Sequence, residues 1–179
     1  MQVMEPSPLI HFVAWVTSIA MNQVEIQSLI PEDDHDAVEF CREIYAEMGW
    51  PEDGLGSTIA EIFSEPGDSF VTVKQNGEII GTAGLLRLSK EEALLKRFYL
   101  AKRVRGRDLA PRLFADVINK AQAMGYSMLV LDVQSTNERA IQFYEKVGME
   151  EFFSISPHPR WAGSSPERQK TDRYFRLKL

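Results

Sequence analysis

One cysteine, three histidines and no excess of positive charge exclude several common chemistries at once. With Cys41 alone, no intramolecular disulfide can form, and the expected compartment is the reducing cytoplasm. Cys41 also falls on a helical apolar stripe with Val38, Ile44, Tyr45 and Met48, the pattern of a packed side chain rather than of a nucleophile. His11, His35 and His158 stand apart, with no HxxxH or carboxylate spacing, so no metal site is expected. A net charge of −6 argues against nucleic acid and against an anionic membrane surface as partners. The apolar run LIHFVAWVTSIA is too short to span a bilayer, and the segment ahead of it carries Glu5 and no Lys or Arg, unlike a secretory leader. Internal repeats and low-complexity tracts are missing too.

What is present suffices for one core-bearing domain: 44% of the 179 residues are hydrophobic and 26% charged. MNQVEIQSLIPEDD reads as the start of that domain, so residues 1–21 are expected to be an N-terminal extension and residues 22–179 the domain itself. Phe12, Val13, Trp15, Val16 and Ile19 would be costly to leave in water, which favours packing of the extension on the domain or on a partner.

Residues 24–30 read as a strand, and PEDDHDAVEFCREIYAEMG then supplies a leading proline, acids in the first turn, an apolar stripe and Gly49 as a stop. A turn-rich loop and a short helix around TIAEIF follow. SFVTVKQNGEIIGTAGLLRL alternates on both sides of Asn76-Gly77, the dipeptide of a type I′ hairpin, and ALLKRFYL reads as a neighbouring strand. From Leu109 apolar residues recur three and four apart until Gly125, and SMLVLDV is the nearly unbroken apolar run of a strand buried on both faces. Strand, helix and strand at this length make a βαβ unit. Ser135 and Glu138 are spaced as a capping box for a helix that ends at Gly148. An irregular stretch, 156–170, leads to the terminal strand DRYFRLKL, with Phe175, Leu177 and Leu179 on one face.

The densest positive charge lies in VRGRDLAPRLF, on the threshold of a helix. Amides there lack intrahelical acceptors and their dipoles favour an anion; Gly106 permits close approach, and Arg103, Arg105 and Arg107 add charge. A solvated basic turn is the alternative reading of this stretch taken alone.

LKRFYLAKRVRGRDLAPRLF followed by LVLDVQSTNERAIQFYEKVGME resembles the acetyl-CoA-binding core of the GNAT N-acetyltransferase superfamily. Its first motif is a strand, a short loop, R-G-x-G-x-[GA] and a helix. Its second, N-x-x-A-x-x-F-Y-x-K-x-G-[FM], matches at Asn137, Ala140, Phe143, Tyr144, Lys146, Gly148 and Met149. The resemblance covers about residues 94–150. It implies an α/β (α+β) fold with a mixed, mostly antiparallel central sheet flanked by helices. It also implies that amides of Arg105, Gly106, Arg107, Asp108, Leu109 and Ala110 cradle the pyrophosphate of coenzyme A. Phe98, Tyr99 and Leu100 would pair with the pantetheine arm, Asn137 would contact the same arm, and Tyr144 would be the general acid toward the departing thiolate, a role its ordinary pKa near 10 permits.

Two positions depart from the pattern. Asp108 replaces the motif's second glycine; aspartate is a favoured N-cap, so it is expected to cap the helix and leave the loop functional. Leu94 stands where many relatives carry a glutamate, leaving Glu92 as the candidate base on the same strand face; the competing reading of Glu92 is a solvated acid beside Glu91.

Acids crowd the region from Glu25 to Asp68, which the resemblance places on the acceptor side, favouring a small cationic amine or a protein or peptide amine. Solvated helix faces would explain the same acids. Tyr45, Trp50, His158 and Trp161 are candidates for the acceptor wall. The resemblance thus implies acetyl transfer from acetyl-CoA to an amine, and direct attack fits because no nucleophile stands in a recognisable elbow. The alternative is a CoA-binding sensor or interaction module that does not turn over. A monomer and a homodimer both remain open.

Overall fold

The computed structural model describes residues 24–52, 55–153 and 155–179; the expected extension over residues 1–21 lies outside them. Seven strands are formed: β1 (Val24–Ser28), β2 (Ser69–Gln75), β3 (Glu78–Arg87), β4 (Glu92–Leu100), β5 (Met128–Gln134), β6 (Glu150–Phe152) and β7 (Asp172–Lys178). The helices are α1 (Asp34–Met48), α2 (Ile59–Ile62), α3 (Leu109–Ala123) and α4 (Glu138–Lys146). The strands make one sheet in the order β1-β2-β3-β4-β5-β7-β6. Only β4 and β5 are parallel neighbours, joined through α3 as the βαβ pattern requires. The sheet is therefore mixed and mostly antiparallel, as the motifs imply.

Local chemistry accounts for most boundaries. Asn76 and Gly77 take φ angles of 54° and 81°, the pair of positive values that a type I′ turn demands. Gly49 closes α1 at φ 67° with its amide on the Ala46 carbonyl. At α4 the expected capping box is not formed. The cap is Asn137, whose side chain accepts from the Ala140 amide at 3.2 Å. Its own amide first closes a turn onto the Gln134 carbonyl, which pushes Ser135 out of the helix and into contact with Thr171. The short β6, unassigned in the sequence reading, pairs with β7 over Glu150–Phe152.

The two sheet faces carry different covers. Leu95, Leu129, Leu131 and Phe175 belong to the core that includes Leu113, Phe114 and Val117 of α3 and Ile141 and Tyr144 of α4. The opposite face of β3 turns Thr82, Gly84 and Leu86 toward α1, α2 and the segment between β6 and β7. Cys41 is fully buried in the main core, as its stripe predicts.

The segment from Pro157 to Lys170 is irregular in backbone yet well packed. Trp161 is 5% exposed and sits with Leu86, Leu94, Val130 and Tyr174. The Tyr174 hydroxyl donates to the Gly163 carbonyl at 2.5 Å, and Ser164 Oγ accepts the His158 amide at 2.8 Å. Arg160 anchors the segment to the start of β2, donating to both Asp68 oxygens at 2.9 and 2.5 Å. The Asp68 side chain is fully buried, so removing its partner strands a charge away from water. Arg160→Ala should cost about 3–5 kcal/mol, read by denaturant unfolding against the parent protein.

Candidate active site

The central strands part company early. β4 and β5 pair only at Glu92 with Met128, Ala93 with Leu129 and Leu94 with Val130, although β4 continues to Leu100 and β5 to Gln134. Just beyond the last pair, β4 bulges: its register on β3 shifts between Thr82 and Gly84, and Arg97 takes a φ of 55°. The Arg97 carbonyl accepts from the Thr82 hydroxyl at 2.9 Å, and its guanidinium donates to the Leu55 carbonyl. Such a bulge bends and twists its strand and re-aims the side chains that follow. Lys96 and Tyr99 face the α1 side, paired with Gly84 and Thr82, while Phe98 turns to the α3 and α4 side.

The opening has usable main chain along one wall. The Ala101 amide bonds the Ile80 carbonyl at 2.9 Å, and alternation along an antiparallel ladder turns the polar groups of Phe98 and Leu100 to the other edge, toward β5. That orientation is visible at Leu100, whose carbonyl accepts Arg105 Nε at 2.7 Å. Arg105 also clasps Glu47 of α1 with bonds of 2.5 and 2.8 Å, and Arg103 bridges to Glu78 at 2.8 Å. These two arginines brace the connection from β4 to α3 rather than standing free in it.

Gly106 has a φ of 77°, strained for any residue with a side chain. A Cβ there would lie 3.6 Å from a guanidinium nitrogen of Arg139, so an arginine from the first turn of α4 stands beside the loop. Arg107 is exposed on the same loop. The first bond of the α3 ladder runs from the Arg112 amide to the Asp108 carbonyl at 3.2 Å, leaving the amides of Leu109 and Ala110 ahead of it. Asp108 does occupy the N-cap, but its side chain makes no capping bond, which corrects the sequence expectation. Pro111 sits at the third helical position and has no N–H, so one of the two usual targets of an N-cap side chain is missing.

Tyr144 and Asp132 approach the opening from opposite faces. Tyr144 is packed on the α4 side between Phe98 and Phe175, with ring centroids 6.4 and 6.0 Å away, and its hydroxyl makes no hydrogen bond to a described residue. Burial pushes its pKa up, and the charge of Asp132 pushes it further, so the phenol keeps its proton throughout the neutral range. Asp132 projects from β5 to the α1 side. One oxygen accepts from the Trp161 indole and the other lies 3.4 Å from Arg168. Any side chain at Gly163 would overlap the Asp132 carboxylate. Burial raises the Asp132 pKa against the lowering effect of the indole bond and of Arg168.

The other sequence candidates are spread unevenly. Glu92 lies at the paired end of β4, opposite Met128, six residues from Phe98 and so about 20 Å along the strand. Asn137 spends its side-chain oxygen on α4. Tyr45, Trp50 and Tyr99 form an aromatic trio on the α1 face, with centroids 5.4 to 6.4 Å apart, and the Trp50 indole donates to Gln134 of β5 at 2.9 Å. His158 serves its own segment, with Nε2 3.2 Å from the Leu88 carbonyl and Nδ1 accepting the Arg160 amide. The acids between Glu25 and Asp68 are largely engaged: Asp33 with Lys74, Asp34 with the Ile59 and Ala60 amides, Glu39 and Glu52 with Arg42, Glu47 with Arg105, and Glu65 and Asp68 with Arg160. Asp33 and Asp68 are paired within the fold, while Glu39, Glu47, Glu52 and Glu65 pair in partly exposed positions.

The sequence reading passed over Asp132, Lys96 and Arg139. A signal for Asp132 existed: it is the one charged residue of the apolar strand MLVLDVQ, where burial demands a partner or a purpose.

Comparison with known proteins agrees with this architecture. Residues 34–149 match the acetyltransferase (GNAT) family model. The Escherichia coli N-acetyltransferase YjgM is 27% identical over 146 residues, covering 75% of this chain and 87% of that protein. An acetyltransferase from Streptococcus agalactiae 2603 superposes with a TM-score of 0.71 at 23% identity, over 87% of this chain and 98% of that one. The PaiA N-acetyltransferase of Thermoplasma acidophilum, solved in complex with coenzyme A, gives 0.65 at 20% identity over 88% and 99%. With the family match spanning more than half its length, the chain belongs to the GNAT family of acetyltransferases.

Proposed function

We propose that this protein moves an acetyl group from acetyl-CoA directly to an amine within the opening between β4 and β5. The observation that carries the reading is the placement of Tyr144 and Asp132 on opposite faces of that opening. The residues present fit coenzyme A: a positive φ at Gly106, unladdered amides at the head of α3 and the Arg139 guanidinium form a cradle for a diphosphate. The Arg105 amide is spent on the Lys102 carbonyl at 3.3 Å, which takes it out of the expected set; on this reading amides of residues 106–110 hold the pyrophosphate with help from Arg107 and Arg139. The main chain of Phe98 to Leu100 pairs with the pantetheine arm, and the side-chain NH2 of Asn137, free of the cap, adds a donor to it. Arg105 works from behind, stiffening the loop through Glu47.

When bound, acetyl-CoA supplies an acyl group activated as a thioester. Asp132 accepts the proton that the acceptor amine must lose, a task for which a raised pKa suits it, and Glu92 lies too far along β4 to share it. Tyr144 presents its phenolic hydrogen to the sulfur as negative charge develops. The acceptor enters from the α1 face, where Tyr45, Trp50 and Tyr99 offer aromatic surface to an ammonium-bearing small molecule or a peptide amine. Among the described residues no helix is long and apolar enough to cross a membrane. The single cysteine, which can form no intramolecular disulfide, fits a reducing compartment, and the cytoplasm is our proposal for it.

Calorimetry with coenzyme A, followed by thiol release from acetyl-CoA across a panel of amines, tests the reading. Saturable binding with steady release for some amine supports it; saturable binding with none would assign a CoA-binding module instead. Gly106→Ala should weaken coenzyme A binding about tenfold, since a left-handed backbone costs a residue with a Cβ roughly 1–2 kcal/mol. Calorimetry on the variant checks this.

A further inference from the structure

Lys96 occupies a position that nothing in the transfer reaction above requires. The last parallel pair is Leu94 with Val130, so the next residues on the same face are Lys96 of β4 and Asp132 of β5, facing one another where the strands separate. Each carries weight in the other's electrostatic surroundings, yet no ion pair forms, and Lys96 makes no hydrogen bond to a described residue. An ammonium group so placed, half-buried and without a partner among the described residues, is unusual for a lysine. Phe98, whose main chain faces the opening, is two residues away.

Resting on the reading of the opening as an acetyl-CoA site, we infer that Lys96 is itself an acetyl acceptor: the protein acetylates its own Lys96 when no amine substrate is present. Burial and the neighbouring cations Arg97, Arg168 and Arg160 disfavour the charged ammonium, against the opposing pull of Asp132. A larger share of neutral amine is therefore present than on an exposed lysine. The Lys96 nitrogen bonds to the acetyl carbon as the carbon–sulfur bond breaks. The electron pair of that bond leaves on sulfur, which receives the Tyr144 phenolic proton, later replaced from solvent. The proton displaced from nitrogen goes to the Asp132 carboxylate, leaving a neutral amide and free coenzyme A. The product removes the positive charge opposite Asp132 and puts an acetyl group into the acceptor's path.

The test incubates the intact protein with deuterated acetyl-CoA and no acceptor, then maps acetyl-lysine by proteolysis and mass spectrometry, with coenzyme A binding measured on the same preparation. Labelling of Lys96 should saturate with acetyl-CoA and run at least about tenfold faster than labelling of exposed Lys90, Lys102 and Lys146, because the thioester is held beside it. Tyr144→Phe should slow labelling at Lys96 and leave the exposed lysines unchanged. An unlabelled acetyl group already on Lys96, absent from the Tyr144→Phe protein prepared in the same way, supports the proposal equally. Saturable coenzyme A binding with Lys96 unmodified, or labelled no faster than the exposed lysines, overturns the inference and leaves the acetyltransferase reading standing. Failure to bind coenzyme A overturns both.

Discussion

Tyr144→Phe should lower kcat by about 10²–10⁴-fold while coenzyme A binds with nearly unchanged affinity. The substitution keeps the ring that packs between Phe98 and Phe175 and removes only a hydroxyl with no hydrogen bond to a described residue. No internal polar group is orphaned, so folding stability should hardly move, and the loss is confined to the step in which sulfur acquires charge. Because burial and Asp132 hold the phenol protonated, the wild-type rate should show no descending limb from Tyr144 across the neutral range. Single-turnover measurements with saturating acetyl-CoA, beside calorimetry on the same variant, check both halves. A variant with full kcat would remove Tyr144 from the chemistry.

Asp132→Asn should produce an equally deep loss of rate and a change in stability of opposite sense. The wild-type rate should rise with pH as the carboxylate loses its proton, with a midpoint above that of an ordinary aspartate because the group is buried. The asparagine variant should lack that limb. For stability the sign follows from proton binding. The folded protein holds the Asp132 proton more tightly than the unfolded chain, so the favourable contribution is complete below the unfolded pKa and is lost as pH rises through the raised folded value. Asparagine does not ionise, so its advantage in melting temperature over wild type should grow through that window. Burial sets the window first, and Trp161, Arg168, Asp172 and Lys96 around Asp132 adjust it. Thermal unfolding of both proteins from pH 4 to pH 8 would read it. A difference in melting temperature independent of pH would show that Asp132 does not titrate there.

The parts of the fold legible in the sequence are those set by neighbours along the chain. Asn76-Gly77, the stops at Gly49 and Gly125, and the stripe of α3 need only local geometry and periodicity, and each forms as expected. The turn at Gly106 and the helix that carries Tyr144 were legible because two motifs fix their spacing. What escaped depends on partners distant in sequence. Arg105 meets Glu47, 58 positions away, and no local rule distinguishes that clasp from a phosphate-binding arginine. The bulge at Arg97 arises where β4 takes one residue more than β3 opposite it, a mismatch that alternation in one strand does not reveal. The stretch 156–170 looks like a loop by composition, yet Trp161 and Tyr174 make it a wall, because Tyr174 alternates with Phe175 onto a face that would otherwise be wet.

The hydrogen bond from Trp50 to Gln134 gives the protein an optical reporter of its own. Of its three tryptophans, Trp50 spans from the end of α1 to β5 and Trp161 touches the Asp132 carboxylate of β5. Filling the gap with a thioester carrier alters the surroundings of the first indole, and protonation of Asp132 alters those of the second. Intrinsic emission, with Trp50→Phe and Trp161→Phe to separate the two signals, can therefore follow ligand occupancy and carboxylate charge in solution without any attached dye.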